Sequence, residues 1–473
     1  MALHAWLYKH LRLYEARITL LSRSLWSRRF IHNACTSGLF SVIIETSRKQ
    51  TWQITMPNDP KVSILIPSYN HAQFLPASIE SVLAQTYRNI ELIIVDDGSA
   101  DDSLEIAGSY AAKHPAIVRV FTHANRANLG ISATVNEGFR QSTGEYFSGL
   151  PSDDMLMPDK VEKQVRYLQN HLAVRWVYAK VQLVDDEGNS LPHTFGHDVT
   201  GDGRAVERLI VDNAVPGMSV LARRECFERV GEHTPDLLYS DWEFWIRMAS
   251  QFKPAFLDQA VVRFRVHDYN TSVGTTQDED LNRGLEVMAS LRRNQDVFPG
   301  ELATARSQAL IETQRYRYLF CLRRLEESTQ SLHQVFELYP ELRNNPELFE
   351  SWLRAAPLAN SMPEYFEWTL KQLPGDLQSS FARQMTKRLT GLARAAHALR
   401  FHQAGDLTQA RRFAVKAILG DFSRLGDRPL ISAFVETVVG STLMGRARHL
   451  KHGRTQSSAP APTNELAGKQ NGV

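Results

Sequence analysis

Cysteine is scarce in this sequence: only three occur among 473 residues, and no two are spaced as a CxxC pair. Cys35, Cys226 and Cys321 therefore indicate neither a disulfide framework nor a zinc site, and their scarcity fits a reducing compartment. The sequence also has no large excess of either charge, because 54 Lys and Arg residues against 52 Asp and Glu residues give a formal net charge of +2. So small a net charge gives no general attraction to nucleic acid, and we expect no nucleic-acid partner.

Long apolar runs are also missing. No run approaches the ~18 residues that a membrane-spanning helix needs, and the N-terminus lacks the apolar stretch and small-residue cleavage site of a secretory signal. We therefore expect a cytoplasmic protein. Hydrophobic residues nevertheless make up 43% of the chain, which is enough for a large core, and the length predicts two or three domains.

The first 50 residues are locally basic, with eight Lys or Arg against two Asp or Glu and with Trp, Tyr and Leu interleaved. Two interpretations of this segment, residues 1–58, stay open. In the first it forms an amphipathic helix that makes peripheral contact with the inner, anionic face of a membrane. In the second it is a helix that packs on the main domain and leaves its basic face in water.

Strand-like and helix-like segments alternate after a breaker cluster around Pro57 and Pro60, which marks a boundary. Four apolar stretches are typical of strands, namely residues 61–67, 90–97, 117–123 and 144–150. Helical segments follow them at residues 74–87, 101–114, 131–143 and 158–171. The alternation predicts βαβ units on a mostly parallel sheet, an α/β architecture typical of nucleotide-binding proteins.

Polar residues follow all four predicted strands. In an open parallel sheet the carboxyl ends of the strands gather at one edge, and ligands bind beyond that edge. The first strand ends in Pro67, Ser68, Tyr69 and Asn70, the second ends in Asp96 to Ser99, the third is followed by Asn128 to Gly130 with Asn136, and the fourth ends in Ser152 to Asp154. One such loop alone is an ordinary turn or helix cap, whereas four together predict a binding site.

Several segments, in unbroken order, resemble the consecutive motifs of the family 2 glycosyltransferases. They are VSILIPSYNHAQFLPASIESVLAQTY, IELIIVDDGSADDS, NLGISATVNEGF and SDDMLMPDKVEKQV, continued by VPGMSVLARRECFERVGEHTPDLLYSDWEFWIRMA and VRFRVHDYNTSV. The resemblance covers about residues 61–272. It implies a GT-A fold and an inverting transferase that moves a sugar from a nucleoside-diphosphate sugar, most often a UDP-sugar, to a hydroxyl of a glycan, glycolipid or protein.

The resemblance implies roles for residues on the donor side. Eight residues match positions near the donor nucleotide and its sugar: Pro67, Ser68, Tyr69, Asn70, Asp97, Asn128, Gly130 and Asn136. Asp153 matches the carboxylate that holds a divalent cation on the donor diphosphate, with Asp154 beside it, and His267 matches a downstream histidine of the same site. Mg2+ or Mn2+ is the expected cofactor, because diphosphate oxygens and water can complete the shell of a hard ion.

Two positions depart from the family pattern. Pro151 stands where the family commonly has the first acidic residue of Asp-x-Asp-Asp, which puts ribose contact and metal affinity in question. Ser240 stands where an acidic residue usually precedes the catalytic base. Read without the resemblance, Asp153 and Asp154 in the stretch GLPSDDMLMPDK would indicate only a solvated turn and a helix cap.

Asp241, in SDWEFWIRMA, matches the catalytic base of the family. A base is needed because a hydroxyl attacks efficiently only when its proton is removed as the new bond forms. The alternative is that Asp241 only caps its helix. We expect the acceptor side to include Pro216 and Gly217 from NAVPGMSV, together with Trp242 and Glu243, although Trp242 could equally pack in the core.

Strand-like segments end near residue 275, and the remainder has helical periodicity. The stretches RYRYLFCLRRLEESTQSLHQVFELYPEL and AAHALRFHQAGDLTQARRFAVKAILGDF look alike, and the second resembles part of a tetratricopeptide repeat. A generic helical bundle remains an equal alternative, and such helices could bind a protein partner. The predicted regions are 1–58, a basic segment; 59–275, the GT-A domain; 276–390, a helical extension; 391–452, repeat-like helices; and 453–473, a disordered tail.

Two rival functions remain. A nucleotidyltransferase normally has a Gly-rich phosphate loop with Lys or Arg after its first strand, which PSYNHAQF lacks. A non-catalytic glycan- or partner-binding protein on a decayed transferase scaffold is favoured by Pro151 and Ser240. Four retained residues favour the enzyme, namely Asp97, Asp153, Asp241 and His267. For this enzyme we expect a role in cell-surface polysaccharide or lipopolysaccharide synthesis.

Overall fold

The computed structural model describes residues 59–431, except 202, 268–269, 271–274, 295–299, 356–361, 378 and 421–429. Within these residues the chain forms one nine-stranded sheet flanked by helices, followed by helices alone. The basic segment 1–58, its membrane contact and the tail lie outside the described residues and stay predictions. No helix in the described part is long and apolar enough to cross a bilayer.

The first half of the sheet consists of four parallel strands in the order β3-β2-β1-β4. They are β1 (Val62–Ser68), β2 (Ile90–Asp96), β3 (Val118–Thr122) and β4 (Tyr146–Gly149). The helices that follow them are α1 (Leu75–Leu83), α2 (Ser103–Lys113), α3 (Gly130–Gln141) and α4 (Lys160–Asn170). The predicted alternation of strands and helices is confirmed, and so is the α/β fold class.

Apolar side chains on both faces of β1 and β2 explain the continuous hydrophobic runs in their sequences. Successive residues of a strand point to opposite faces. Ile64 and Ile94 therefore face one core, formed with α1 and α4, whereas Leu65 and Ile93 face a second core, formed with helices further along the chain. The sheet is thus buried on both faces, and its polar strand ends are left to form a site.

The second half of the sheet is mixed. Its strands are β5 (Met155–Leu156), β6 (Trp176–Val184), β7 (Ser190–Phe195), β8 (Leu221–Arg223) and β9 (Pro254–Arg265). β8 runs antiparallel to β4 and β6, β9 runs parallel to β6, and the short β5 pairs antiparallel with β9. This last pairing carries the end of β9 to the loop after β4. The expectation of a mostly parallel sheet therefore holds for β1 to β4, and the remaining strands are a finding of the structure.

One apolar core joins the sheet region to the helices that follow it. The helices among the later strands are α5 (Ala205–Val211), α6 (Arg224–Val230) and α7 (Ser240–Gln251); those after β9 are α8 (Gln277–Arg293), α9 (Ala305–Cys321), α10 (Leu325–Leu338), α11 (Pro346–Arg354), α12 (Pro363–Gln372), α13 (Ser379–Gln403) and α14 (Leu407–Gly420). Trp245 of α7, Leu310 of α9 and Phe336 of α10 belong to the same buried cluster. In addition, Arg306 Nε lies 2.6 Å from Glu207 Oε1. Packing is therefore continuous across the predicted boundary at residue 275.

The helical hairpins α9–α10 and α13–α14 have the same turn geometry. Arg323 and Gly405 adopt positive φ angles of 62° and 80°. In both turns the next residue, Arg324 or Asp406, donates its N–H to the carbonyl five residues earlier, at 2.8 and 2.9 Å. This is the hydrogen-bond pattern of a Schellman helix end. The geometry agrees with a repeated hairpin, and the assignment to tetratricopeptide repeats stays a prediction.

Candidate active site

The loops after β1 and β2 are joined by hydrogen bonds. Asn70 N–H donates to Ser99 Oγ at 3.0 Å, and Ala100 N–H donates to Asn70 Oδ1 at 2.7 Å. Asn70 has a positive φ of 52°, a conformation that its short polar side chain tolerates better than most others do. The Tyr69 ring is left 47% exposed at the sheet edge, where a flat ligand could stack on it.

Asp97 joins the second strand end to the third. Its Oδ1 accepts a hydrogen bond from Leu129 N–H at 2.7 Å, and its Oδ2 accepts one from Gly130 N–H at 3.0 Å. Gly130, with a φ of 82°, begins α3, and a carboxylate at a helix N-terminus is favoured by the helix dipole. The structure thus gathers at one edge Pro67, Ser68, Tyr69, Asn70, Asp97 and Gly130, with the exposed Asn128 beside them.

Asn136 lies apart from this edge. It follows Gly130 by six residues, about 9 Å along a helix with a rise of 1.5 Å per residue. Its side-chain amide donates to the carbonyl of His233 at 3.0 Å and accepts from the His233 N–H at 2.8 Å. Because these bonds tie α3 to the segment before α7, the structure places Asn136 in the core and not among the donor-binding residues that the motif implies.

Asp153, His267 and His71 form a compact cluster at the ends of β4, β9 and β1. His267 Nε2 lies 3.1 Å from Asp153 Oδ2, and one potential ligand atom from each of the three residues lies within 4.8 Å of the others. Asn270 Nδ2 lies 3.4 Å from the same carboxylate oxygen. Carboxylate and imidazole groups gathered in this way can hold a divalent cation. The sequence motifs predict Asp153 and His267 and miss His71, and they also miss the neighbouring Asn270.

Arg265 fixes the geometry of this cluster. Its Nε–H donates to the carbonyl of Asp153 at 3.0 Å, and its backbone N–H donates to Asp154 Oδ1 at 2.8 Å. Its guanidinium lies 4.9 Å from the centroid of the Phe74 ring, and that ring stacks on His267 with 4.7 Å between centroids. The end of β9 is therefore clamped against the loop that carries Asp153.

Asp154 belongs to this framework and not to the cluster. It has no exposed surface, and among the described residues none is hydrogen-bonded to its second oxygen, Oδ2. Burial, together with the negative charge of Asp153, raises the pKa of Asp154 well above its usual range. Asp154 is not part of the cluster of His71, Asp153 and His267, and its Oδ1 accepts the Arg265 N–H, so the metal-binding role expected for Asp154 stays a prediction.

Asp241 lies in the first turn of α7, close to Gly217. A methyl group placed on Gly217 would lie 3.8 Å from Asp241 Oδ2 and 3.9 Å from Trp245 Nε1. Burial raises the pKa of the Asp241 carboxyl, and hydrogen bonds from the Trp242 N–H and the Asn213 side chain oppose this rise. Residues i and i+4 share one face of a helix, so Asp241 and Trp245 both border the space beside Gly217.

The indole N–H of Trp245 is buried and has no hydrogen-bond partner within the part of the chain that the structure describes. Its ring stacks on Trp176 with 6.0 Å between centroids, so packing fixes its direction. Leaving a buried donor unsatisfied costs roughly 1–3 kcal/mol, and such groups call for an explanation such as a ligand or water. The unsatisfied donor of Trp245 is therefore a finding of the structure.

Trp242 and Glu243 point into the core. Trp242 Nε1–H donates to the carbonyl of Leu209 at 2.6 Å. Glu243 has no exposed surface, and its Oε2 accepts from Arg247 Nε–H at 2.9 Å. Successive helical residues are rotated by about 100°, so neither shares the face of Asp241. Of the predicted acceptor-side residues, the structure brings Gly217, with Pro216 beside it, to Asp241.

A family profile described as "Glycosyl transferase family 2" matches residues 63–231. An uncharacterized glycosyltransferase of Haemophilus influenzae is 33% identical over 201 residues, which are 42% of this chain and 76% of that protein. The chain belongs to glycosyl transferase family 2. This membership confirms the resemblance seen in the sequence motifs, and the GT-A fold of the family agrees with the architecture described above.

Two further relatives of this family 2 glycosyltransferase are matched over part of their length. An uncharacterized glycosyltransferase of Rickettsia typhi is 33% identical over 223 residues, 45% of this chain and 66% of that protein. The chondroitin synthase of Escherichia coli is 37% identical over 141 residues, 30% of this chain and 20% of that protein. The chain thus spans less than two thirds of both relatives. The family profile includes Asp153 and ends before Asp241 and His267.

Proposed function

We propose that this family 2 glycosyltransferase is an inverting, metal-dependent enzyme that transfers a sugar from a nucleoside-diphosphate sugar to a hydroxyl group. The observation that carries the proposal is the Asp153–His267 pair, a buried carboxylate and imidazole 3.1 Å apart at the strand edge. A carboxylate and an imidazole that face each other in this way can hold a divalent cation. Arg265 and Phe74 hold this pair in place, which supports a site built for a cation.

The residues of the cluster fit a divalent cation. Asp153 offers an oxygen and His267 a nitrogen, while a donor diphosphate and water would supply the remaining ligands of Mg2+ or Mn2+. When bound, the cation would offset the negative charge that develops on the leaving nucleoside diphosphate. The chain's own part is to orient the two ligands, which it does through the contacts of Arg265 and Phe74.

The edge formed by the loops after β1 and β2 suits a nucleoside. Tyr69 offers an exposed ring for stacking, and the bonds of Asn70 fix the backbone on either side of it. Asp97 holds the start of α3 beside this edge, because its carboxylate accepts the N–H groups of Leu129 and Gly130. In this proposal the residues after β1 surround the base and ribose, and Asn128 and Gly130 lie near the sugar phosphate. UDP-sugars are the first donors to test.

Asp241 is the proposed general base. It takes the proton of the acceptor hydroxyl while that oxygen attacks the anomeric carbon from the face opposite the leaving diphosphate, which inverts the configuration. A raised pKa makes a carboxylate a better proton acceptor near neutral pH. Gly217 leaves room beside the carboxylate, and the Trp245 N–H can donate a hydrogen bond to an acceptor oxygen.

The proposed acceptor is a glycan or lipid-linked glycan of a cell-surface polysaccharide or lipopolysaccharide. The similarity to a chondroitin synthase, whose name denotes synthesis of a polysaccharide, supports this choice. Such an acceptor would place the protein in the cytoplasm at the inner face of the membrane, with segment 1–58 in contact with lipid. The helices from residue 276 onward would then offer a surface for a protein partner.

A screen of nucleotide sugars tests the proposed function. The full chain is mixed with Mn2+ and, in turn, with UDP-, GDP- and dTDP-sugars, and the melting temperature and donor hydrolysis are measured. A bound donor stabilises the native state by about 2.7 kcal/mol at 100 times its Kd. Asp153→Asn should lose the metal-dependent part of this gain, whereas Asp376→Asn, at an exposed site, should keep it.

The opposite result also has a clear meaning. If no nucleotide sugar stabilises the protein or is hydrolysed in the presence of metal, the transferase proposal fails. The non-catalytic scaffold, which Pro151 and Ser240 favour, would then be the better explanation. A glycan array with the same protein would separate a glycan-binding role from a role in binding protein partners.

A further inference from the structure

His71 is the member of the cluster that the sequence motifs do not assign. It follows Asn70 directly in the loop after β1, and its backbone N–H donates to Ser103 Oγ at 3.1 Å. Its ring stands at 90° to that of His267, with 5.9 Å between centroids. One of its ring nitrogens lies within 4.8 Å of ligand atoms of Asp153 and His267. Three separate loops thus deliver two imidazoles and a carboxylate to one place.

We propose that His71 is a third protein ligand of the divalent cation and takes the place of the carboxylate that is missing at Pro151. Two imidazole nitrogens and one carboxylate oxygen give the site a preference for Mn2+ and later first-row ions such as Co2+ over Mg2+. This inference rests on the proposed function in one respect, namely that the same cation holds the donor diphosphate. Binding of the metal alone is testable without a donor.

The spacing of the three groups suits one six-coordinate ion. Metal–ligand bonds of about 2.1 Å put neighbouring ligand atoms about 3 Å apart and opposite ones about 4.2 Å apart. The 3.1 Å between His267 Nε2 and Asp153 Oδ2 corresponds to neighbouring positions. All three ligand atoms lie within 4.8 Å of one another. A small shift of the His71 ring would therefore bring its nitrogen to a third position on the ion. Diphosphate and water can take the other positions on the ion.

Ser152 orients the His71 ring for this role. Its hydroxyl oxygen lies 2.8 Å from His71 Nδ1 and is carried by the residue directly before Asp153. Ser78 Oγ lies 2.8 Å from the carbonyl oxygen of Ser152 and 2.5 Å from that of Asp154, so its hydroxyl fixes the loop. When the Ser152 hydroxyl accepts the Nδ1–H, the lone pair of Nε2 is left for a cation. Metal-bound histidines are commonly held in this way through the second ring nitrogen.

The chemistry of the ligands decides which ion the site prefers. Mg2+ takes oxygen ligands, demands near-ideal octahedral geometry and keeps several waters. Imidazole suits the later first-row ions, and the affinity of a given site rises from Mn2+ through Co2+ to Cu2+. Proline at position 151 removes an oxygen ligand and His71 adds a nitrogen ligand. Both changes shift the preference away from Mg2+.

Titration of the full chain with Mn2+ in the absence of nucleotide tests this proposal. Free Mn2+ is followed by electron paramagnetic resonance for the wild type, His71→Ala, Ser152→Ala and the control His193→Ala, which alters an exposed residue of β7. We expect His71→Ala to weaken Mn2+ binding by about 10-fold or more, Ser152→Ala to weaken it less, and the control to leave it unchanged. Mg2+ should displace Mn2+ from the wild type only at about 100-fold excess, and from His71→Asp at a smaller excess.

Three results would overturn the assignment. The first is that His71→Ala binds Mn2+ as tightly as the wild type while its melting temperature in EDTA is normal. If His71→Ala does not fold, His71→Asn is measured instead. The second is displacement of Mn2+ by equimolar Mg2+. The third is a His71→Ala variant that binds Mn2+ normally but no longer binds UDP when UDP binding is measured in EDTA. This result would assign His71 to the diphosphate. If Mn2+ binds through His71 but no nucleotide sugar binds, the metal site stands and the proposed function fails.

Discussion

The Asp153 carboxylate and the His267 imidazole meet at 3.1 Å although 114 residues separate them in the sequence. The pairing of β5 with β9 explains this meeting. β5 begins two residues after Asp153, β9 ends two residues before His267, and Met155 is paired with Arg263. The short antiparallel pair of strands thus sets the distance between two proposed metal ligands. The hydrogen bonds of Arg265 hold these two ligands in place.

Gly217→Ala tests the space beside the proposed base. The added methyl would lie 3.5 Å from Trp245 Cζ2 and 3.8 Å from Asp241 Oδ2, which are ordinary contacts, so the melting temperature should change little. The methyl would occupy the place of an acceptor oxygen, and we expect transfer to fall by about 10- to 100-fold with donor affinity unchanged. Steady-state kinetics in which the donor and acceptor concentrations are both varied measure the transfer rate. Gly108→Ala, where a methyl meets nothing within 4 Å, is the control, and equal rates for the two variants would refute the assignment.

Lys160 should make stability depend on pH. It has no exposed surface, its Nζ donates to Ser148 Oγ at 2.7 Å, and burial lowers its pKa to about 7. The unfolded chain, with a lysine pKa of about 10.4, binds more protons than the native state between about pH 7 and 10. The free energy of unfolding therefore rises with pH across this window.

Lys160→Met removes the amine and keeps the length of the side chain. The Ser148 hydroxyl keeps a partner, because it donates to the carbonyl of Val220 at 2.6 Å. We expect a variant that is more stable near pH 7, by a few kcal/mol at most, with a flatter pH dependence up to pH 10. Urea unfolding at several pH values measures both. Lys163→Met, at a partly exposed site, is the control, and a slope that Lys160→Met leaves unchanged would disprove the prediction.

The helices after residue 275 should be needed for the fold of the domain before them. Trp245 and Leu310 share one buried cluster, and Ser290 Oγ lies 3.2 Å from Glu243 Oε1. A chain that ends at residue 275 would expose this core, so we expect it to aggregate or to lose cooperative unfolding. A chain that ends at residue 431 should melt like the full chain. Circular dichroism during heating measures the unfolding of both chains, and cooperative unfolding of the chain that ends at residue 275 would contradict this expectation.

Sequence patterns predict β1 to β4 because their apolar runs are continuous and their polar ends follow a shared order. The later strands are harder to see. β5 has two residues and β8 has three, and most side chains of β7 are exposed, so none gives a clear period. Their pairing partners lie far away in the chain, and local sequence carries no information about such contacts.

The site residues also divide into those that the sequence predicts and those that it does not. Asp153 and His267 are predicted from motif positions, whereas His71 gives no signal of its own, since one histidine in a loop has no spacing to interpret. Motif position also does not tell which way a side chain points, and for this reason Asn136 and Glu243 are assigned to ligands although the structure turns them into the core.

The most direct test of the central claim is the rate of sugar transfer by Asp241→Asn. Asparagine keeps the size of the side chain and can still accept the hydrogen bond from the Trp242 N–H, but it cannot take a proton. Loss of a general base typically costs about 10²–10⁴-fold in rate, while donor affinity, which depends on the other strand ends, should stay within about twofold of the wild type. We predict that transfer collapses in Asp241→Asn with the donor still bound; transfer at nearly the wild-type rate would contradict the claim.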